Sequence, residues 1–303
     1  MAAGLGGVQG CHPVPAPRGR HRVRERPGST EPLPRPVVDT HCHLDVTDQH
    51  LGETLPPDVA IALAREAGVT RIVQVGCDVA SSERAVEIAR AAPEVVAAVA
   101  LHPNDAPRIR DREGAEGLDR ALERIEALAG DPRVRAVGET GLDYYRTREP
   151  EDRAVQHESF RRHIDIAKRL DRTLVIHDRE AHDDIVRVLD DEGAPERVVF
   201  HCFSGDAALA RLCADRGWYC SFAGVVTYKN AGELREALAV VPRDLVLVET
   251  DAPYLTPVPH RGAVNASYLV PLTVRGMAAT RGEPVERLCG DLWDNAMRAF
   301  GQW

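Results

Sequence analysis

The feature that most constrains the fold is an alternation, from Val37 onward, of short apolar runs with stretches of helical period. Apolar runs rich in β-branched residues are typical of buried strands, whereas apolar positions three or four apart are typical of helices. Eight such units over about 265 residues match the usual size of a (β/α)₈ TIM barrel, an α/β fold. The predicted strands are 37–42, 71–75, 95–101, 134–138, 173–177, 197–201, 217–222 and 245–249.

An open, doubly wound sheet is the competing architecture for alternating strands and helices. Its nucleotide-binding versions carry G-x-G-x-x-G after the first strand or a Walker sequence, and this chain has neither. The helical stretches also have clear start and stop signals. In 116–129 an apolar stripe ends at Gly130, and it consists of Leu118, Leu122, Ile125 and Leu128. We therefore predict the barrel.

The chain is predicted to hold a single domain, residues 37–303, preceded by a tail, residues 1–36. The tail is rich in Pro, Gly and Arg and contains almost no large apolar residues, which is typical of disorder. An arm that holds nucleic acid is the alternative interpretation of its arginines.

Charge and cysteine content narrow the setting. The net charge of −9 argues against a broad basic surface that coats duplex DNA. It leaves nucleases open, because metal ions can supply local positive charge to a phosphate. The seven cysteines include no C-x-x-C pair, so a zinc ribbon has no support and a reducing cytoplasm is expected. We expect no membrane partner, since no run nears the roughly 18 apolar residues of a spanning helix and no secretory signal is visible.

Ligand-type residues fall at the predicted carboxyl ends of the strands, where TIM barrels place their functional side chains. His41 and His43 lie two apart, so both should face the barrel mouth while Cys42 turns toward the helices. Imidazole nitrogens and carboxylate oxygens suit zinc, manganese and similar ions. The predicted metal ligands are His41, His43, Glu139, His177, His201 and Asp251.

Three further residues lie beside these predicted ligands in the predicted fold. His102, after the third strand, is interpreted first as a substrate contact, with a metal ligand and a structural histidine as alternatives. Arg179 shares a face with His177 and pairs either with an anionic substrate or with a carboxylate at the rim. Glu249 faces the same way as Asp251 and is expected to hold a ligand in position.

The chain carries five specific motifs in this order: DTHCHLD at 39–45, GETGLDYY at 138–145, IHDR at 176–179, HCFSG at 201–205 and ETDAPYL at 249–255. Together they closely resemble the TatD family of metal-dependent deoxyribonucleases, within the amidohydrolase-like TIM barrels. The resemblance runs from Val37 to the ending at 295–301 and omits only the tail. In loop 261–268 the chain has Ser267 where the family pattern has proline.

The resemblance implies two divalent cations per subunit, as Mg²⁺, Mn²⁺ or Zn²⁺. One ion would be held by His41, His43, Glu139 and Asp251. The other would be held by Glu139, His177 and His201, with Glu139 bridging the pair.

The resemblance also implies hydrolysis of DNA phosphodiester bonds, and we expect a 3′–5′ exonuclease acting on single strands or ends. Asp251 and Glu139 are the predicted catalytic residues, with Asp251 taking the proton of the attacking water. His102, Arg179 and Tyr144 are predicted to bind substrate. We expect a monomer with no obligate protein partner. A deacylase acting on an ester or amide such as D-aminoacyl-tRNA is the alternative, and a metal-holding binding module is a second one.

Overall fold

Eight parallel strands form one continuous sheet in chain order in the computed structural model, which describes residues 26–46 and 55–303. Each strand is hydrogen-bonded to the next, so the predicted (β/α)₈ TIM barrel is confirmed. The strands are β1 Val37–Cys42, β2 Val69–Gly76, β3 Val95–Val99, β4 Val134–Asp143, β5 Thr173–Arg179, β6 Val198–Phe200, β7 Tyr219–Phe222 and β8 Val246–Val248.

The barrel closes where the segments after β8 and β1 meet. The amide of Asp251 donates to the carbonyl of His41 at 2.9 Å, and the amide of His43 donates to the carbonyl of Ala252 at 2.8 Å. These two bonds join the first and last strands at their carboxyl ends. Three of the predicted metal ligands therefore lie on this seam.

Helices surround the strands, and aspartate side chains cap the amino-terminal ends of two of them. Asp78 caps α2 (Val79–Ala91), and its side chain accepts from the amide of Ser81 at 2.7 Å. Asp206 caps α6 (Ala207–Asp215), and its side chain accepts from the amides of Ala208 and Leu209. In the described part of the chain the helices are α1 Pro57–Glu66, α2 Val79–Ala91, α3 Asp105–Ala129, α4 Pro150–Arg169, α5 His182–Glu192, α6 Ala207–Asp215, α7 Gly232–Val240, α8 Val270–Arg281 and α9 Val285–Phe300.

The core has two layers because side chains alternate across each strand. The inner layer fills the barrel, while the outer layer packs between strands and helices and includes the predicted stripe of α3. Each fully buried Val, Leu, Ile or Phe side chain contributes about 1.5–3 kcal/mol by leaving water. The strand residues of the inner layer are Val38, Val73, Val75, Val96, Ala98, Ala136, Val175, Val199, Tyr219 and Leu247.

The predicted tail, residues 1–36, is described only from residue 26, and residues 1–25 lie outside the described part. Residues 26–36 lie against the barrel. Leu33 is buried, and its amide donates to the carbonyl of Ala67 at 3.0 Å. The hydroxyl of Tyr268 donates to the carbonyl of Pro27 at 2.7 Å. This part of the segment therefore packs on the domain, because its carbonyl groups and one leucine find partners there.

No helix within the described residues has the length and apolar character needed to cross a membrane.

Candidate metal centre

Buried histidines and carboxylates converge at the carboxyl ends of the strands. All six predicted ligands lie in one cluster, and His102 joins them. Parallel strands in a barrel end at the same rim, so residues far apart in sequence meet there. The donors come from the ends of six strands: His41 and His43 at β1, His102 after β3, Glu139 in β4, His177 in β5, His201 after β6 and Asp251 after β8.

Glu139 occupies the centre of the cluster and is completely buried. Its Oε1 lies 2.6 Å from Nδ1 of His177, 2.9 Å from Nε2 of His201 and 3.3 Å from Nε2 of His102. Its Oε2 lies 3.4 Å from Nε2 of His41. The two oxygens of one carboxylate thus face two different sets of imidazoles, which is the arrangement that a bridging ligand requires.

The first set of donors consists of His41, His43 and Asp251, whose ligand atoms lie within 4.8 Å of one another. Oδ1 of Asp251 lies 3.5 Å from Nε2 of His43 and 3.9 Å from Nε2 of His41. These three atoms are buried, and none has a hydrogen-bond partner among the residues that the structure describes. Leaving a buried polar group unsatisfied costs about 1–3 kcal/mol. A divalent cation would satisfy all three, so the donor set fits a metal ion.

The second set differs from the grouping that the resemblance implies. His102, Glu139 and His177 form a group within 4.8 Å, while His201 groups with His41 and Glu139. The rings of His41 and His201 are stacked, with centroids 3.8 Å apart. His102 was predicted first as a substrate contact; its Nε2 lies 3.3 Å from Oε1 of Glu139, and its role stays a prediction.

Hydrogen bonds behind the histidines fix their orientation. Nδ1 of His43 lies 3.1 Å from the carbonyl oxygen of Val75, which leaves Nε2 directed at the cluster. Nδ1 of His201 lies 3.1 Å from Oε1 of Glu249, and that oxygen also accepts from the amide of Cys202 at 2.8 Å. The structure therefore places Glu249 where the sequence predicted it, behind a ligand. Such partners set the tautomer and basicity of ligating imidazoles.

Asp143 is a further buried carboxylate at the site, and the sequence pattern alone assigned it no role. Its Oδ2 lies 3.3 Å from Nε2 of His177 and accepts from Nδ2 of Asn104 at 2.9 Å. Its position inside the motif at 138–145, four residues after Glu139, was the available signal. The pairing itself required β4 to continue beside β5, as it does through Asp143 and Arg179.

The electrostatics of the cluster favour ionised carboxylates. Burial raises the pKa of Glu139, but His201 and His102 outweigh it and hold that pKa well below its usual range. For Asp251, burial raises the pKa, yet the adjacent imidazoles of His43 and His201 lower it overall. Burial lowers the pKa of His177, but Asp143 and Glu139 raise it to about 9. The imidazole of His177 thus attracts a proton that a bound cation would displace, since metal binding releases protons from its ligands.

The backbone at Asp251 adopts a left-handed conformation, with φ of 53°. This conformation is uncommon for residues other than glycine and costs of order 1–3 kcal/mol at functional sites. Buried hydrogen bonds hold it in place. The amide of Thr250 donates to Oδ1 of Asp39 at 2.9 Å, and its hydroxyl donates to Oδ2 at 2.6 Å. Nδ2 of Asn265 donates to the carbonyl of Thr250 at 3.0 Å.

Two predicted substrate residues lie outside the cluster. The guanidinium of Arg179 stacks on the ring of Tyr145, 4.0 Å from its centroid, and Tyr145 is 44% exposed. The hydroxyl of Tyr144 donates to Asp184 and lies 2.7 Å from Nε2 of His157. Tyr144 thus faces helices α4 and α5. The roles of Arg179 and Tyr144 in substrate binding stay predictions.

Cys77, directly after β2, is a residue that sequence reasoning missed. Val73 and Val75 belong to the inner layer, so the two-residue alternation carries Cys77 inward as well. Its Sγ lies 3.8 Å from Oε2 of Glu139. The predicted strand ended at residue 75, and extending the alternation by one step was the signal that would have found it.

Comparisons with known proteins agree with this geometry. A family model described as TatD related DNase matches residues 38–301. An uncharacterized metal-dependent hydrolase of Mycobacterium tuberculosis, named TatD, is 44% identical over 268 residues, covering 88% of this chain and 98% of its own length. The metal-dependent hydrolase YcfH of Escherichia coli, also uncharacterized, is 37% identical over 270 residues, covering 87% and 95% of the two chains.

A solved structure is similar over the same region. The crystal structure of YjjV, a TatD homolog from Escherichia coli, has a TM-score of 0.77 at 26% identity and covers 88% of this chain and 98% of its own. The resemblance carried by the five motifs is thereby confirmed. The chain belongs to the TatD family and is a metal-dependent hydrolase.

Proposed function

We propose that the chain hydrolyses phosphodiester bonds of DNA and acts as a 3′–5′ exonuclease on single strands or strand ends. The observation that carries this proposal is the buried Glu139 carboxylate, which presents one oxygen to His41 and the other to His102, His177 and His201. Pairs of divalent ions bridged in this way recur in enzymes that displace groups at phosphorus. The family model described as TatD related DNase supports DNA as the substrate.

Divalent ions held by this donor set would lower the pKa of a coordinated water and offset negative charge on the phosphate. The remaining steps belong to the chain's own residues. Oδ1 of Asp251 is buried, and its pKa is lowered despite burial by the adjacent imidazole of His43. It is therefore ionised at neutral pH and accepts the proton of the attacking water. Asp143 and Glu249 keep the imidazoles of His177 and His201 oriented.

The rim of the barrel offers a place for an unpaired strand. Tyr145 presents an exposed ring, and Arg179 stacks beneath it. Stacking of a base on an aromatic side chain contributes about 1–3 kcal/mol and requires no particular base. The guanidinium of Arg179 also suits a phosphate. These two residues support single-stranded DNA over the middle of a duplex.

The test is nuclease activity of the metal-stripped protein on single-stranded and duplex DNA, with Mg²⁺, Mn²⁺ or Zn²⁺ added back. We expect cleavage that needs metal, favours single strands and disappears in His201→Ala. His182→Ala is the matched control, because His182 pairs with Asp178 at the start of α5 and not with the donor cluster. Metal-bound wild type that cleaves no DNA but hydrolyses an aminoacyl ester would refute the proposal and favour a deacylase.

A further inference from the structure

The donor cluster contains a sulfur in addition to its histidines and carboxylates. Cys77 follows β2, is 1% exposed and has its Sγ 3.8 Å from Oε2 of Glu139. The ligand atoms of His43, Cys77 and Glu139 lie within 4.8 Å of one another. Because Val73 and Val75 face the barrel interior, the strand itself directs Cys77 to the mouth.

An independent observation at the same place also points to a ligand. Nε2 of His43 is buried and has no hydrogen-bond partner among the described residues. Its other ring nitrogen lies 3.1 Å from the carbonyl oxygen of Val75, which fixes the ring and leaves the Nε2 lone pair directed at the cluster. An oriented imidazole with an open lone pair is the usual state of a metal ligand.

The separations fit coordination. Zinc lies about 2.3 Å from thiolate sulfur and about 2.0–2.2 Å from imidazole nitrogen or carboxylate oxygen, so neighbouring donors around one four- or five-coordinate ion stand roughly 3–3.8 Å apart. Sγ of Cys77 and Oε2 of Glu139 are 3.8 Å apart, and Oε2 and Nε2 of His43 are 4.0 Å apart. Small side-chain shifts would bring all three atoms within coordination distance of one ion.

We propose that Cys77 is a thiolate ligand of the metal site formed by His41, His43, Glu139 and Asp251, and that it gives the site a preference for thiophilic cations. This inference rests on the metal-dependent function proposed above. The thiol gives up its proton to solvent as the sulfur–metal bond forms. Thiolate ligands favour Zn²⁺ over Mg²⁺ or Mn²⁺, whereas carboxylate and imidazole alone discriminate less.

The experiment uses Co²⁺ as the probe, titrated into the metal-stripped full chain. Visible d–d absorption reports cobalt bound in the cluster, and a near-ultraviolet sulfur-to-cobalt charge-transfer band reports a thiolate ligand. The variants are Cys77→Ser and Cys77→Ala. The matched control is Cys42→Ala, because Cys42 lies between two predicted ligands but packs in the outer layer of the core. Competition between Zn²⁺ and Mn²⁺ is measured on the same four proteins.

We expect the charge-transfer band in wild type and Cys42→Ala, and its loss in both Cys77 variants with the d–d absorption retained. Zn²⁺ affinity should fall at least about tenfold in the Cys77 variants, and Mn²⁺ affinity should fall less. Cobalt bound to wild type without the charge-transfer band would overturn the assignment of Cys77 alone. Persistence of the band in Cys77→Ala would overturn that assignment as well. A wild type that binds no cobalt would overturn both this assignment and the proposed function.

Discussion

His163 on α4 is a buried histidine that holds the backbone beside the metal centre and affects the stability of the protein at acidic pH. It is completely buried, its Nε2 accepts from the amide of Leu101 at 3.0 Å, and its Nδ1 donates to the carbonyl of Ser159 at 2.7 Å. Burial lowers the pKa of His163 to about 4, against the opposing hydrogen bond to Ser159. The neutral ring therefore fixes the backbone directly before His102, one of the clustered donors.

The sign of the pH effect follows from this depressed pKa. The unfolded chain takes up a proton on His163 near pH 6.5, whereas the folded chain does so only near pH 4. The contribution of the neutral His163 ring to the free energy of unfolding is thus fully present above pH 6.5. It is lost as the pH falls from 6.5 through 4. The interval corresponds to roughly 3 kcal/mol of the free energy of unfolding. Glutamine does not titrate in this range. We therefore predict that the difference in free energy of unfolding by which wild type exceeds His163→Gln at pH 7 shrinks by about 3 kcal/mol between pH 7 and pH 4.

The assay is denaturant unfolding of both proteins at several pH values, with a chelator present so that metal binding does not contribute. Other titrating groups are common to both proteins and cancel in the difference. His182→Gln is a control of opposite sign, because the hydrogen bond to Asp178 raises the pKa of His182. The free energy of unfolding of His182→Gln should therefore fall relative to that of wild type as the pH is lowered. A difference between wild type and His163→Gln that stays constant from pH 7 to pH 4 would refute the reasoning.

Three further predictions address the site and the core. Glu249→Gln should weaken metal binding about 10–100-fold in a metal titration, because Glu249 orients His201 through its charge. Arg179→Ala should raise KM for single-stranded DNA in steady-state kinetics and leave kcat nearly unchanged, because Arg179 lies at the rim. Phe160→Ala should lower the free energy of unfolding by about 3–5 kcal/mol in denaturant melts, because Phe160 is fully buried.

Each of these three predictions would be contradicted by a specific result. Unchanged metal affinity in Glu249→Gln would mean that the His201 ring is held by packing alone. A fall in kcat with constant KM in Arg179→Ala would place Arg179 at the reacting phosphate instead of the rim. A loss below about 1 kcal/mol in Phe160→Ala would mean that neighbouring side chains fill the cavity.

Six donors of the cluster could be predicted from the sequence because one geometric rule was enough to select them. Apolar runs of β-branched residues located the strands, and the rule that functional groups follow barrel strands then selected His41, Glu139 and Asp251. What this rule cannot supply is distance between side chains. The nearness of His102 to Glu139, at 3.3 Å, depends on how two neighbouring strands are staggered.

Other features depended on tertiary contacts that local pattern does not encode. The fourth strand was predicted to end at residue 138, yet it continues to Asp143 because Thr140–Asp143 pair with Ile176–Arg179 of β5. Glycines and polar residues in that stretch favour a loop when considered alone. Residues 26–36 also depend on a tertiary contact. Their composition predicts disorder, although the amide of Leu33 donates to the carbonyl of Ala67.

The seam that joins β1 to β8 makes the metal centre a late product of synthesis and folding. Asp39 and Thr250, which hydrogen-bond across this seam, are 211 residues apart in the chain. A nascent chain emerging from the ribosome carries His41 and His43 early but lacks Asp251 until nearly the whole barrel has been made. Capture of a cation by the complete ligand set therefore reports that the barrel has closed. Incomplete or truncated chains that lack Asp251 are left without the complete donor set.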